Sequence, residues 1–582
     1  MATPRPSDYP DSDATTETET ASFNSDDTAD TGIEKSVQFA SFLPDNAAAV
    51  HLLETVQTSP GSSSPACLIS DEDTIAYLLS LPPLSGIPDG DEALASANGR
   101  WRIGAGPSQR LIEKGVACAK IDILLCPPGN TPGTKRARES IKSAHAVLLF
   151  HPESGVLVLR NVCSKPIIYQ NGDADGEDLT IYGGVKGRDS CVLFRERNCL
   201  QFGDYHFVLE FNLDPLSHDR FREQRDAILS FSHARPSRHL ALVPTEDHLR
   251  CWDIRIHHLL SYGAHGSQIY CGVQLHTGKP VAVKKMRYKR DSQHRIRKEL
   301  EVASLFSDDH PGVHGLISSW CEHGDSPPCR LDKCESKEDH EDVYYSMPLA
   351  EYDFESMPWA KLDFVERLSH FHQTLSGLVK LHEKDIYHGR IRPNSLLIMP
   401  DTTSTQPTER ESSVPETTHH LPSKAVISPA ISAQAYGKPS HAECWIAPEV
   451  WTSTAETLCT SKTDIWALAA SWLPAFVVVP SNVRINQRTY RVMMKTVDDQ
   501  HEKGKISGAF RNLLLKMLAW EPAERPTAEE ALAHDAWAPF LMERELRGER
   551  VRRERNKRIQ DAKLGAVGGI KKVRVLSPEV ED

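Results

Sequence analysis

The stretch Ile386-Tyr387-His388-Gly389-Arg390-Ile391-Arg392-Pro393-Asn394-Ser395-Leu396-Leu397-Ile398 decides how this chain is read. Before it, Phe364, Val365, Leu368, Phe371, Leu375, Leu378, Val379 and His382 recur three and four residues apart between 362 and 382. That period places them on one face of a buried helix. After it comes an apolar run. The helix thus delivers the chain to a polar loop built on His388, Arg390 and Arg392.

At 582 residues the chain has room for two or three domains. Its 39% hydrophobic content is low for a fully globular chain, so disordered segments are expected. The net charge of −13 argues against wholesale coating of nucleic acid. Thirteen cysteines without framework spacing suit a reducing compartment. The start Met1-Ala2-Thr3-Pro4-Arg5-Pro6 has no apolar segment of the secretory kind. The longest apolar run, Ile465 to Val479, is too short for a bilayer and contains Pro474, so it reads as a buried core helix. A soluble, intracellular protein is expected.

Residues 1–45 are rich in Ser, Thr, Asp and Glu and read as a disordered acidic tail, either regulatory or merely solubilising. From 95 to 213 the pattern turns β. Ala146–Phe150 and Val156–Leu159 are joined by a hairpin signal at 151–155, and Phe207, Leu209 and Phe211 share one face. An all-β sandwich is expected there. A linker follows over 214–248, and a second domain over 250–540 carries a Ser/Thr/Pro-rich insert at 400–423. Cys321, His323, Cys329, Cys334 and His340 crowd one polar stretch, but their spacing matches no common zinc framework, and no metal site is expected. The tail over 541–582 is basic, with Arg550, Arg552, Arg553, Arg555, Lys557 and Arg558 followed by Lys571, Lys572 and Arg574. Interleaved glutamates fit a solvated helix, and the paired clusters fit a nuclear-import signal. No aromatic platform accompanies them, which disfavours nucleic acid as a partner.

The opening stretch resembles the catalytic loop of eukaryotic protein kinases, His-Arg-Asp-Leu-Lys-Pro-x-Asn. His388 and Pro393 match, and Arg392 stands for the lysine. Arg390 replaces the general-base aspartate, Ser395 the metal-binding asparagine, and Gly389 the arginine that clamps a phosphorylated activation segment. Pro280-Val281-Ala282-Val283-Lys284 is similar to the strand whose lysine anchors nucleotide phosphates, and Glu299 to its glutamate partner. Three glycine positions of the phosphate loop hold Tyr262, Ala264 and Ser267, where the tyrosine would fill the phosphate space. The metal-binding Asp-Phe-Gly appears as Ser428-Pro429-Ala430. Further on, Ala447-Pro448-Glu449, Asp464 and Arg525-Pro526 match architectural motifs. There the resemblance implies a Glu449–Arg525 ion pair and an Asp464 that accepts from the catalytic-loop backbone.

The sandwich region resembles a forkhead-associated (FHA) domain through Ile103-Gly104, His145-Ala146, Asn171-Gly172 and Gly203. Its departures fall on the phosphothreonine pocket: Ala105 replaces the phosphate-binding arginine, Lys142 a serine, and Pro166-Ile167 the first asparagine-glycine. Lys142 remains one candidate donor, His145 is implied to brace the loop, and a plain protein-binding sandwich is favoured.

The fold class expected is therefore multidomain: an FHA-like sandwich, an α+β bilobal kinase-like domain, and disordered termini. The resemblance implies ATP as the ligand of Lys284 and Glu299, while the substitutions imply that no magnesium-dependent site accompanies it. A catalytically inactive scaffold binding proteins, phosphoproteins among them, is the first reading. An active serine/threonine kinase of the FHA-kinase type is the alternative, with Glu383 or Asp385 acting as base from an unusual place.

Overall fold

The computed structural model describes residues 36–567 apart from stretches of five residues or fewer and from 60–66, 85–98, 113–119, 171–177, 244–249, 331–341, 401–423, 429–434 and 437–442. The N-terminal unit is a sandwich. In chain order its elements are β1 (Val37–Pro44), α1 (Ala47–Thr58), β2 (Cys67–Ser70), β3 (Ile75–Leu81), β4 (Arg100–Gly104), β5 (Ile123–Leu124), α2 (Pro132–Ser140), β6 (Ala146–Phe150), β7 (Leu157–Asn161), β8 (Ile167–Gln170), β9 (Leu179–Ile181), β10 (Ser190–Val192), β11 (Arg197–Phe202), β12 (Tyr205–Phe211) and α3 (His218–Ser230). One sheet runs β2-β3-β1-β12-β11-β8-β9 and the other β10-β7-β6-β4-β5. The expected hairpin joins β6 to β7 through Gly155, whose φ of +71 is a left-handed conformation suited to glycine.

Three expected boundaries change. Residues 1–45 do not all form a tail, because Val37–Pro44 is an inner strand paired with both β3 and β12. The sandwich correspondingly begins near 37 and not at 95. The 214–248 segment is not a plain linker, because α3 packs Phe221 against Phe39 at 5.5 Å and Phe150 at 6.0 Å in the sandwich core. The reason is common to all three: each segment gains its apolar contacts from partners far along the chain, beyond any local window. The acidic part of the tail lies outside the described residues.

The second unit opens with a seven-stranded antiparallel sheet, order β13-β14-β15-β16-β19-β17-β18, from β13 (Arg250–Cys251), β14 (Ile254–Tyr262), β15 (Gln268–Gln274), β16 (Pro280–Arg287), β17 (Ser318–His323), β18 (Ser326–Arg330) and β19 (Asp342–Pro348). Helix α4 (Gln293–Ser304) lies in this lobe. Cys321 is buried in the sheet, and among the described residues no group of three His, Cys, Asp or Glu side chains is set to hold a metal.

The helical lobe is built on α5 (Phe364–His382), which starts with a reciprocal Asp363–Glu366 capping box. Between β20 (Tyr352–Asp353) and the pair β21 (Leu396–Met399) and β22 (Lys424–Ile427) a small sheet forms beside it. Then come α6 (Ser461–Trp472), α7 (Gln487–Glu502), α8 (Gly508–Met517) and α9 (Ala538–Val567). Phe371 of α5 stacks on Trp472 at 5.1 Å and on Phe510 at 5.8 Å, which ties three helices to one aromatic core. The run from Ile465 is indeed a buried helix, and no helix among the described residues is long and apolar enough to cross a membrane. Helix α9 carries the first basic cluster well into the segment expected to be disordered, while Lys571, Lys572 and Arg574 lie outside the described residues.

Gly377 on α5 is a close-approach site. A Cβ there would lie 2.0 Å from the carbonyl oxygen of Gly312, which itself sits at φ +91. Gly377→Ala is expected to destabilise the chain by about 1–3 kcal/mol, the usual cost of overpacking. An unchanged denaturant midpoint would show that the Gly312 loop gives way freely.

The two units share one apolar core. The edge of β10 reaches the β15–β16 turn, with Val192 N donating to Leu275 O at 2.8 Å and Ser190 Oγ to His276 O at 2.7 Å. Gly278 sits so close to His151 and Val158 that a Cβ would be 3.0 Å from each. The sandwich thus docks by its β6–β7 turn, leaving the Lys142–His145 end pointing away from the sheet it docks on.

Candidate functional site

Helix α5 ends at His382, and Asp385 turns the chain in the left-handed region at φ +55. This places Tyr387 to Arg392 above the start of α6. There Asp464, 1% exposed in the first turn of α6, accepts from His388 N and Gly389 N, both at 2.8 Å. A carboxylate in a helix's first turn is favoured by the macrodipole. His382 Nε2 also approaches Asp464 Oδ2 at 3.2 Å. The role expected for Asp464 is what the geometry holds.

His388 is fully buried, and burial lowers its pKa below the ordinary histidine value. Its Nδ1 accepts from Arg390 N at 3.2 Å, so Nε2 carries the proton and donates to Ser428 O at 2.8 Å. Ser428 N in turn donates to Ser395 O at 2.8 Å. The catalytic-loop frame and the end of β22 are thereby stitched together. Pro429 and Ala430 lie outside the described residues.

The substituted positions offer little to a metal ion. Ser395 Oγ donates to Arg392 O at 2.7 Å and accepts from Arg392 N at 2.9 Å, closing its own turn. Arg390 brings a guanidinium where a carboxylate is needed. Magnesium binds through carboxylate and phosphate oxygens, and two serines beside arginines do not fit it.

On the facing lobe, Lys284 of β16 and Glu299 of α4 form a buried ion pair, each 5% exposed. Tyr345 of β19 donates its hydroxyl to the same Glu299 oxygen at 2.5 Å, and burial with the nearby carboxylate holds that phenol protonated well above its usual range. Lys284 and Glu299 would be the residues to hold nucleotide phosphates. Arg295, four residues before Glu299 on α4, adds a further guanidinium. Burial lowers its pKa, Glu299 opposes that, and Arg390 reinforces it. Arg392 is shifted the same way by burial and by Arg390, and its nearest carboxylate is Glu443 at 4.0 Å. Where the catalytic-loop resemblance implies a general-base aspartate and a metal-binding asparagine, this cleft carries clustered guanidiniums.

The glycine-rich-loop position differs from expectation. Tyr262 is 71% exposed and does not plug the cleft. Gly263 N donates to Ser267 O at 2.7 Å in a tight turn, and Ala264 lies outside the described residues. In the large lobe Arg525 meets Glu449 in a bidentate pair at 2.7 and 2.8 Å, as its motif implied.

At the free end of the sandwich, His145 is buried with Nδ1 accepting from Lys142 N at 3.1 Å, and burial lowers its pKa to about 4. It braces the loop as a neutral ring. Lys142 is half-buried beside it, and Asn171 lies outside the described residues. Sequence reasoning missed Arg138 of α2, whose guanidinium donates to the carbonyls of Ala105, Gly106, Pro107 and Pro127 at 2.9–3.2 Å. An arginine does stand at this loop, but it is spent on backbone. It missed Asn161 too, which ties the next loop through Lys165 O and Cys163 N. Neither carries a local motif; Arg295 was missed as well, although its i to i+4 spacing from Glu299 is a signal that could have found it.

The protein kinase domain family matches residues 256–537. The chain is similar to serine/threonine-protein kinase TAO3 of Homo sapiens, 24% identical over 282 residues, covering 48% of this chain and 28% of the relative. It is also similar to serine/threonine-protein kinase Nek3 of Oryza sativa subsp. japonica, 30% identical over 137 residues, covering 22% of this chain and 21% of that one. Among solved structures, Rad53 1–466 in complex with AMP-PNP aligns with a TM-score of 0.42 and 17% identity over 75% of this chain and 91% of that one. The matches to these two curated relatives reach less than a third of the relatives' own length. Residues 256–537 are therefore a protein kinase domain, set in this chain behind an N-terminal β-sandwich.

Proposed function

We propose that this chain is a catalytically silent kinase that serves as a scaffold or signalling adaptor, binding proteins through its sandwich and kinase-fold surfaces. The observation that supports this is the cationic environment of Arg390. Phosphoryl transfer needs a group that orients the hydroxyl and metal ions that neutralise the phosphates. Arg390 cannot accept a proton, and Ser395 is turned into its own loop. Loss of a general base alone removes a factor of roughly 10²–10⁴. The sandwich end bearing Lys142 and His145, free of the kinase lobes, would receive protein partners, phosphoproteins among them. The basic C-terminal clusters would direct the chain to the nucleus.

One observation favours the second reading, an active serine/threonine kinase using ATP: the Lys284–Glu299 pair is formed and buried. The two readings separate in one experiment on the purified full chain. Labelled phosphate incorporation and thermal stabilisation by ATP are measured with magnesium and with a chelator. The silent reading expects no incorporation, and any ATP stabilisation to persist in chelator and vanish in Lys284→Ala. Magnesium-dependent incorporation lost in Lys284→Ala would overturn it.

A further inference from the structure

The chain passes from the sheet lobe to the helical lobe between Pro348, the end of β19, and Tyr352, the start of β20. On the sheet side Leu349 is buried in the core shared with the sandwich. On the other side Glu351 N donates to Ile398 O at 2.8 Å and the Tyr352 ring packs on the helical-lobe core, so both residues move with that lobe. In two-lobed domains, opening and closing are absorbed by φ and ψ changes in a few residues of this kind.

A segment that leaves the sandwich lies along this crossing. Ser237 N donates to Glu153 O at 2.7 Å, in the β6–β7 turn by which the sandwich docks. Leu240 and Leu242 are buried in the shared core, and Cys271 of β15 donates its thiol to His239 O at 3.2 Å. Between these anchors two side chains reach the crossing. His239 Nε2 donates to Glu351 O at 2.9 Å. The Arg238 guanidinium lies 3.9 Å over the Tyr352 ring, with Nε 3.8 Å from the Glu351 carboxylate. A cation over an aromatic face is held by the ring quadrupole. Bending the backbone at Glu351 and Tyr352 therefore means breaking both contacts.

We propose that residues 237–242 are a strap through which the docked sandwich fixes the angle between the two kinase lobes. Sandwich and sheet lobe form one body, and Arg238 with His239 pins the helical lobe to it at the crossing. The cleft opens when these two side chains let go. The assignment is independent of whether the cleft transfers phosphate.

The test uses the full chain with paired distance labels, carried on noncanonical amino acids so that every cysteine stays in place. One pair spans sandwich and helical lobe at the exposed positions of Tyr182 and Val492. A control pair spans sandwich and sheet lobe at Tyr182 and the exposed Arg287. Arg238→Ala with His239→Ala is expected to raise the population of displaced 182–492 distances roughly tenfold, the combined worth of one hydrogen bond and one cation–π contact. The 182–287 distances are expected to stay as they are. Arg238 is exposed, so Arg238→Ala alone decides the matter if the double variant does not fold, and it is expected to shift the same distances in the same direction. An unchanged 182–492 distribution would overturn the proposal. Equal spreading of both distances would overturn it as well, because the segment would then dock the sandwich without governing the lobes.

Discussion

Glu449→Ala is expected to lower the stability of the helical lobe by about 3–5 kcal/mol, the usual consequence of leaving one member of a buried ion pair alone. Arg525 is 1% exposed and donates through both terminal nitrogens to Glu449. Its Nε donates to Ala519 O at 2.8 Å, its terminal nitrogens also reach Lys462 O and Trp520 O, and its guanidinium lies 5.0 Å over Trp466. The guanidinium therefore cannot swing to water when the carboxylate is removed. Arg525→Ala strands three carbonyls as well and is expected to be at least as costly. The urea midpoint reports both, and a change below about 1 kcal/mol for Glu449→Ala, the scale of an exposed pair, would show that the bridge is effectively solvated.

Acid is expected to destabilise the whole chain well before carboxylates protonate. Burial pushes His145, His151, His314 and His370 down to about 4, and His257 to about 3. These rings fold as neutral groups, whereas in the unfolded chain they take up protons near 6.5. Stability is then complete above about pH 6.5 and falls as the pH drops toward 4, because the unfolded state binds protons first. At pH 5 a histidine shifted to about 4 costs about 2 kcal/mol by linkage. The five are spread over sandwich, sheet lobe and helical lobe, so all three parts weaken together. Urea midpoints at pH 7.5, 6 and 5 measure this. His370→Leu removes one ring from the core and should flatten the slope. A midpoint unchanged from pH 7.5 to 5 would mean that these histidines reach solvent in the folded state.

By itself the sequence determined the kinase domain and the positions that depart from its motifs. Lys284, Glu299, His388, Asp464, Glu449 and Arg525 each lie in a short motif, and α5 announces itself by period alone. The substitutions at Arg390, Ser395 and Ser428 are equally local, so the changed residue set of the cleft was legible without coordinates. Tertiary structure alone decided what depends on distant partners. Strand β1 pairs with β12 about 170 residues away, and no window around Val37 contains that partner. Arg138 is committed to carbonyls of a loop some thirty residues earlier. Arg295 and Arg390 come to share one cleft only when the lobes face each other, and Arg238 meets Tyr352 only once the sandwich has docked. Motif and period are properties of neighbouring residues, whereas burial and electrostatic company are properties of the packed chain.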